Sequence, residues 1–196
     1  MSTKAEELVK LKAEMEGDSA LPLKPSNLVF GEGDIDSDVV FIGEAPGQKE
    51  DELIRPFVGR SGILLNKMLD LIGWTRGNVY ITNIVKRRPP ENRDPSPEEI
   101  ALYSPYLARQ LEIMKPLIII PLGRFSMNYF LPEAKISQDQ GKVFKTKKYF
   151  IVPMFHPAAA LRNPSVMKEF EVSFRKLPAM IAACKRARTE PKKERG

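Results

Sequence analysis

The 196-residue sequence holds one cysteine, Cys184, and one histidine, His156. A single cysteine cannot close a disulfide within the chain. So few soft ligands leave almost no room for a zinc site or an iron–sulfur cluster. No apolar run approaches the ~20 residues a membrane helix needs. The opening stretch, Met1 to Glu7, is charged and lacks the apolar core of a secretory signal. The chain is therefore expected to be cytoplasmic, with no membrane partner. Its chemistry must run on carboxylates, amides, backbone groups and one imidazole.

What is present is ordinary for a soluble globular protein: 42% hydrophobic and 29% charged residues. The length suits one domain, expected over residues 1–184, and a monomer is expected. The net charge of +6 is unevenly placed. Residues 185–196 carry six Lys/Arg against two Glu. This basic tail reads either as a phosphate-binding arm or as a solvated terminus.

Leu8, Leu11 and Met15 recur at near-helical spacing, which predicts an amphipathic helix over 3–15. Strands and helices then alternate. Val39 to Ile42 reads as a buried strand, Ile63 to Ile72 as a helix, and Val79 to Thr82 as a second strand. Pro97 to Met114 reads as a long helix with Ser96 as N-cap and Glu98 and Glu99 in its first turn. Leu117 to Leu122 is a third strand. Lys142 to Met154 reads as a hairpin whose second arm, Tyr149 to Met154, enters the sheet, and Glu169 to Cys184 as a closing helix. This order predicts an α/β fold with a central, mainly parallel four-stranded sheet covered by helices on both faces. Ligands of such sheets bind outside the carboxyl ends of the strands. Three polar stretches fall there: Gly43 to Glu52, Asn83 to Arg93 and His156 to Arg162.

Each stretch carries candidate chemistry. Gly43-Glu44-Ala45-Pro46-Gly47 is a tight loop of small residues that leaves room for a flat group. In Arg55 to Gly62 an aromatic, Phe57, stands among positive charges and glycines. It could stack on a base, although an isolated Phe is more often core. Asn83 ends a strand and offers both a donor and an acceptor, which suits a pyrimidine edge. A strand-terminal Asn is also a common turn former. Lys86-Arg87-Arg88 reads as a phosphate clamp or a solvated loop. The stretch from His156 to Arg162 places an imidazole after a strand, then small residues, then Leu161 and Arg162. An apolar wedge beside a cation fills the gap left by an extruded nucleotide.

Together these stretches resemble the uracil-DNA glycosylase superfamily, and most of all its type-4, iron–sulfur branch. The matching residues are Val29 to Asp34, Ile42 to Gly47, Pro56 to Arg60, Tyr80 to Asn83, Arg88 to Arg93, Leu122-Gly123 and His156 to Ala159. The resemblance implies a three-layer α/β/α sandwich that removes uracil from DNA and leaves an abasic site. It implies Glu44, Asn83 and His156 as catalytic residues, with Gly43, Ala45, Gly47 and Phe57 around the base. It implies Arg60, Ser61, Lys86, Arg93, Leu161 and Arg162 as DNA contacts. Asp51 is a second acidic candidate, more readily taken as a solvated charge.

The branch's four cluster cysteines fall near Asp18, Leu21, Arg87 and Tyr103, none a cysteine. No cofactor is therefore expected. Leu21 and Tyr103 would fill the space apolarly, and Arg87 would pair with Asp18. A related branch that traps its substrate covalently has Gln where this chain has Ala45, and a histidine in the loop that here reads Lys86 to Pro90, so trapping through that residue is not expected. The alternative to an enzyme is a damage-binding module with slow or no turnover. A small-molecule hydrolase is disfavoured by Leu161, Arg162 and the basic tail.

Overall fold

The computed structural model describes residues Ser2–Thr189. Among them, six strands form one sheet: β1 (Glu32–Gly33), β2 (Val39–Gly43), β3 (Tyr80–Asn83), β4 (Ile118–Pro121), β5 (Phe144–Lys145) and β6 (Phe150–Ile151). Their order is β1-β3-β2-β4-β6-β5. The inner four are parallel, and β1 and β5 add antiparallel edges. The expected four-stranded sheet is thus corrected to six. Its parallel centre is the predicted one; β5 is the first arm of the expected hairpin, which joins the sheet along with the second, and β1 is a two-residue strand too short to show alternation. Met154 extends β6 through a bridge to Leu122.

Each parallel strand is buried on both faces, which explains the near-continuous apolar runs. Alternation sorts the side chains into two cores. Val39, Phe41, Ile81, Ile118 and Ile120 face α3 (Arg60–Leu71), α7 (Pro157–Arg162) and α8 (Pro164–Thr189). Val40, Ile42, Tyr80, Ile119 and Ile151 face α1 (Lys4–Gly17) and α4 (Pro97–Met114). The result is a three-layer α/β/α sandwich. Helices α2 (Gln48–Leu53), α5 (Arg124–Phe130) and α6 (Ile136–Asp139) lie in the connections.

Local chemistry fixes the helix starts. Ser96 caps α4 in a reciprocal box: its Oγ accepts from Glu99 N at 3.2 Å, and Glu99 Oε2 accepts from Ser96 N at 2.8 Å. Thr3 and Glu6 repeat the device on α1. The closing helix is longer than expected and runs through Lys185 to Thr189, where a tail was anticipated. The rest of that tail lies outside the described residues. Among those described, no helix is long and apolar enough to cross a membrane.

Candidate active site

The carboxyl ends of β2 and β3 and the start of α7 meet around a cavity of about 570 Å³. Glu44, Ala45, Gly47, Phe57, Arg60, Ser61, Asn83, His156 and Arg162 all line it. Glu50 and Asp94, which the sequence did not single out, line it as well. A concavity of similar size, about 530 Å³, lies between α1 and α4. Charged side chains dominate its wall, and Lys4 and Arg109 there are already paired with Asp36 and Glu14.

Asn83 closes β3 and is 2% exposed, yet its Oδ1 has no hydrogen-bond partner. An unpaired buried acceptor costs ~1–3 kcal/mol, so it marks a place where a donor is expected. Phe57 stands beside it. A Cβ on Gly43 would overlap both the Asn83 Oδ1 and the Phe57 ring. Only glycine at position 43 lets those two groups approach each other.

Phe57 is held in the left-handed region, at φ 51°, a conformation that a bulky residue keeps only when its surroundings enforce it. Three restraints do so. Arg76 Nη2 donates to the Pro56 carbonyl at 2.6 Å, and its Nη1 donates to that of Phe57 at 3.0 Å. Glu32 holds both Arg76 and Arg55. Glu50 Oε1 accepts from the backbone N–H groups of Val58 at 2.9 Å and Gly59 at 2.8 Å. Gly62 then lets α3 pack where a Cβ would overlap the Phe57 carbonyl.

His156 precedes α7 and caps it, its Nδ1 accepting from Ala158 N at 3.1 Å. Its ring lies 5.8 Å from that of Phe57, tilted by 36°. Burial, with Arg162 adding to it, pushes the imidazole pKa down to about 4. The ring is neutral at pH 7. Glu44 moves the other way. Burial raises its carboxyl to about 7, helped by the negative charge of Asp94 and opposed by Arg124. A neutral donor and a reluctant carboxylate thus share one pocket.

Several expectations change. Lys86 cannot touch DNA: it is fully buried, its Nζ bonded to Thr82 Oγ1 and, at 2.7 Å, to Gln110 Oε1. Arg93 is engaged by Glu99 through two bonds of 2.8 and 2.6 Å. Asp51 is not a pocket group, because its Oδ1 accepts from Asn27 N at 2.7 Å. Leu161 is 40% exposed on α7, next to Arg162.

At the four positions where the related branch carries its cluster cysteines, Asp18, Arg87 and Tyr103 each bond to other groups. Tyr103 Oη donates to the Pro22 carbonyl at 2.9 Å. Asp18 accepts from Tyr106 Oη at 2.7 Å, and Arg87 donates to the Ser26 carbonyl. The expected Asp18–Arg87 pair is therefore not formed. Leu21 and Tyr103 are buried in the α1–α4 core. This donor set does not fit an iron–sulfur cluster, which needs thiolates where these side chains stand.

Residues 30–177 match the family model described as the uracil DNA glycosylase superfamily, and the chain belongs to that superfamily. Within it, the sequence is similar to proteins named type-4 uracil-DNA glycosylase. The one from Sulfurisphaera tokodaii is 43% identical over 82% of this chain and 78% of its own. That of Archaeoglobus fulgidus is 44% identical over 78% of this chain and 81% of its own. That of Thermotoga maritima is 44% identical over 74% and 77%.

Proposed function

We propose that this chain is a monofunctional uracil-DNA glycosylase that acts as a monomer on uracil extruded from DNA. The observation that carries the reading is the buried, unpartnered Oδ1 of Asn83 beside the Phe57 ring. Uracil presents an N3–H donor on a flat ring, which answers both groups.

The remaining roles follow from the charges that develop. The bond between C1′ and N1 breaks with its electron pair leaving on uracil. Water then supplies the new C1′–O bond and gives up a proton. Since His156 Nδ1 accepts from the backbone, its proton sits on Nε2. That neutral Nε2–H donates to uracil O2 as negative charge gathers there. Glu44 faces the sugar and the attacking water. Whether it takes the proton or balances the sugar cation, its ionised form is the working one. Arg60, Ser61 and Arg162 hold phosphates at the rim, and Leu161 fills the gap in the base stack.

The test is incubation with a single-stranded uracil oligonucleotide in the presence of chelator, followed by alkali. Strand cleavage at the uracil position is expected. No strand cleavage would sink the glycosylase reading; an electrophoretic shift without cleavage would identify a binding module instead, and the absence of both would remove DNA from the reading altogether.

A further inference from the structure

Glu32 stands on the edge strand β1 and does not line the pocket, and neither does Arg76, which opens the short 3₁₀ turn Arg76–Asn78 before β3. Two glycines bring this pair together. Gly33 has φ 118°, and a Cβ there would overlap the Val79 carbonyl. Gly31 has φ 141°, and a Cβ there would overlap the Tyr80 ring. Strand β1 can therefore lie close against the start of β3, with Glu32 level with Ile81. Glu32 Oε1 then sits 2.6 Å from both Nε and Nη2 of Arg76. The two side chains are only 22% and 17% exposed. The rest of the guanidinium fork points at the Phe57 loop and at α3. Nη2 donates to the Pro56 carbonyl, and Nη1 donates to the Phe57 carbonyl and, at 3.2 Å, to Asn66 Oδ1.

We infer that Glu32 and Arg76 form a positioning pair for the base-stacking ring: Arg76 sets the two peptide planes that flank Phe57, and Glu32 sets Arg76. This rests on the stacking role proposed above for Phe57. The Pro56 carbonyl belongs to the peptide before Phe57 and the Phe57 carbonyl to the peptide after it. One cation bonded to both fixes the φ and ψ between them. Released from that hold, a bulky residue leaves φ 51° for the favoured regions and carries its ring away from Asn83. The task suits arginine. A planar fork can meet a carboxylate and two carbonyls at once, which the point charge of a lysine cannot do in the same geometry. Glu50 anchors the next two residues, Val58 and Gly59, so loss of Arg76 frees Phe57 while the start of α3 stays tied.

Single-turnover excision from a single-stranded uracil oligonucleotide, set beside affinity for a uracil-free one, tests this on the full chain. Arg76→Lys and Glu32→Ala are each expected to slow excision about tenfold, the scale of a weakened base–aromatic contact, with affinity for uracil-free DNA unchanged. Glu32→Gln keeps an acceptor oxygen for Arg76 and should recover most of the rate. In a Phe57→Ala background, Arg76→Lys should cost less than about twofold more, because the group it positions is gone. Losses that multiply in full in the double variant would show Arg76 acting elsewhere and overturn the inference, as would a wild-type rate in Arg76→Lys. Thr3→Ala removes the cap of α1 and separates stability from positioning. It should melt lower at an unchanged rate, and a slowing equal to that of Arg76→Lys would also overturn the inference. Phe57→Ala alone separates the two levels. If it is slow while Arg76→Lys is not, the inference on the pair fails alone. If it keeps a wild-type rate, the stacking role of Phe57 fails and this inference with it.

Discussion

Nδ1 of His156 accepts a hydrogen bond from the backbone N–H of Ala158, two residues along the chain. This short contact caps α7 and also selects the tautomer. The ring's one proton must sit on Nε2, and burial keeps the ring from taking a second until the pH falls to about 4. The helix start and the proposed donor to uracil are the same side chain.

In ¹⁵N NMR spectra His156 should therefore appear as the Nε2–H tautomer and should not titrate above about pH 5. His156→Ala should lose about 100- to 1,000-fold in single-turnover rate while keeping its affinity for DNA. A protonated Nδ1, or a midpoint near the ordinary 6.5, would remove the neutral-donor role. The depressed pKa also has a stability consequence. The unfolded chain takes the proton near pH 6.5, whereas the folded one resists it until about 4, so stability falls as the pH drops through that window.

The parallel centre of the sheet was legible because buried strands read as apolar runs, and Ser96 was legible because a capping box is a local pattern. The convergence of Glu44, Asn83 and His156 followed from strand ends alone. Lys86 was misread for a physical reason. Its partners are Thr82, four residues back on β3, and Gln110 on α4, and no local feature of Lys-Arg-Arg announces that the first of the three points inward. Glu50 escaped notice in a run of acidic residues. Only the face it presents on the two-turn helix α2 distinguishes it from Asp51, and that face is set by the Phe57 loop, eight residues on.

The buried amide of Asn83 separates function from stability. Truncating a satisfied polar group destabilises, but Oδ1 here has no partner to lose. Asn83→Ala is expected to lower the excision rate about 100-fold, the size of a lost buried hydrogen bond to substrate. The melting temperature should not fall. A large drop in thermal stability would mean that the amide is a structural group and that its orphaned oxygen is not reserved for uracil.

Burial also sorts the cations that can meet DNA from those that cannot. Arg162 is exposed beside the pocket, whereas Lys86 is fully enclosed. Arg162→Ala should weaken binding to uracil-free and uracil-containing oligonucleotides alike and reduce the slope of log affinity against log salt by about one. Lys86→Met should leave that slope unchanged. Its cost should appear in stability, because Thr82 and Gln110 lose their shared partner. A reduced salt slope in Lys86→Met would return this residue to the DNA surface.

Glu44 should make the protein less stable in its ionised form, the one proposed to act. Its carboxyl ionises near pH 7 in the folded chain, against an ordinary value of 4.5, because burial and Asp94 both oppose its charge. The protonated form therefore favours folding. That advantage is complete below about pH 4.5 and is lost as the pH rises through about 7. Solvent reaches part of this site, so the effect is on the order of 1 kcal/mol, less than the shift alone suggests. Glu44→Gln removes the titration but keeps the shape. At about pH 8 the variant should melt about 2–4 °C above wild type, and the difference should shrink to nothing as the pH approaches 4.5. His156 titrates in both proteins and cancels from the comparison. Excision should be lost in the same variant, which would identify the strain at Glu44 as a cost of the reaction. A gain in melting temperature that did not change with pH would point instead to improved packing at position 44, and the charge of the working carboxylate would not be what destabilises the fold.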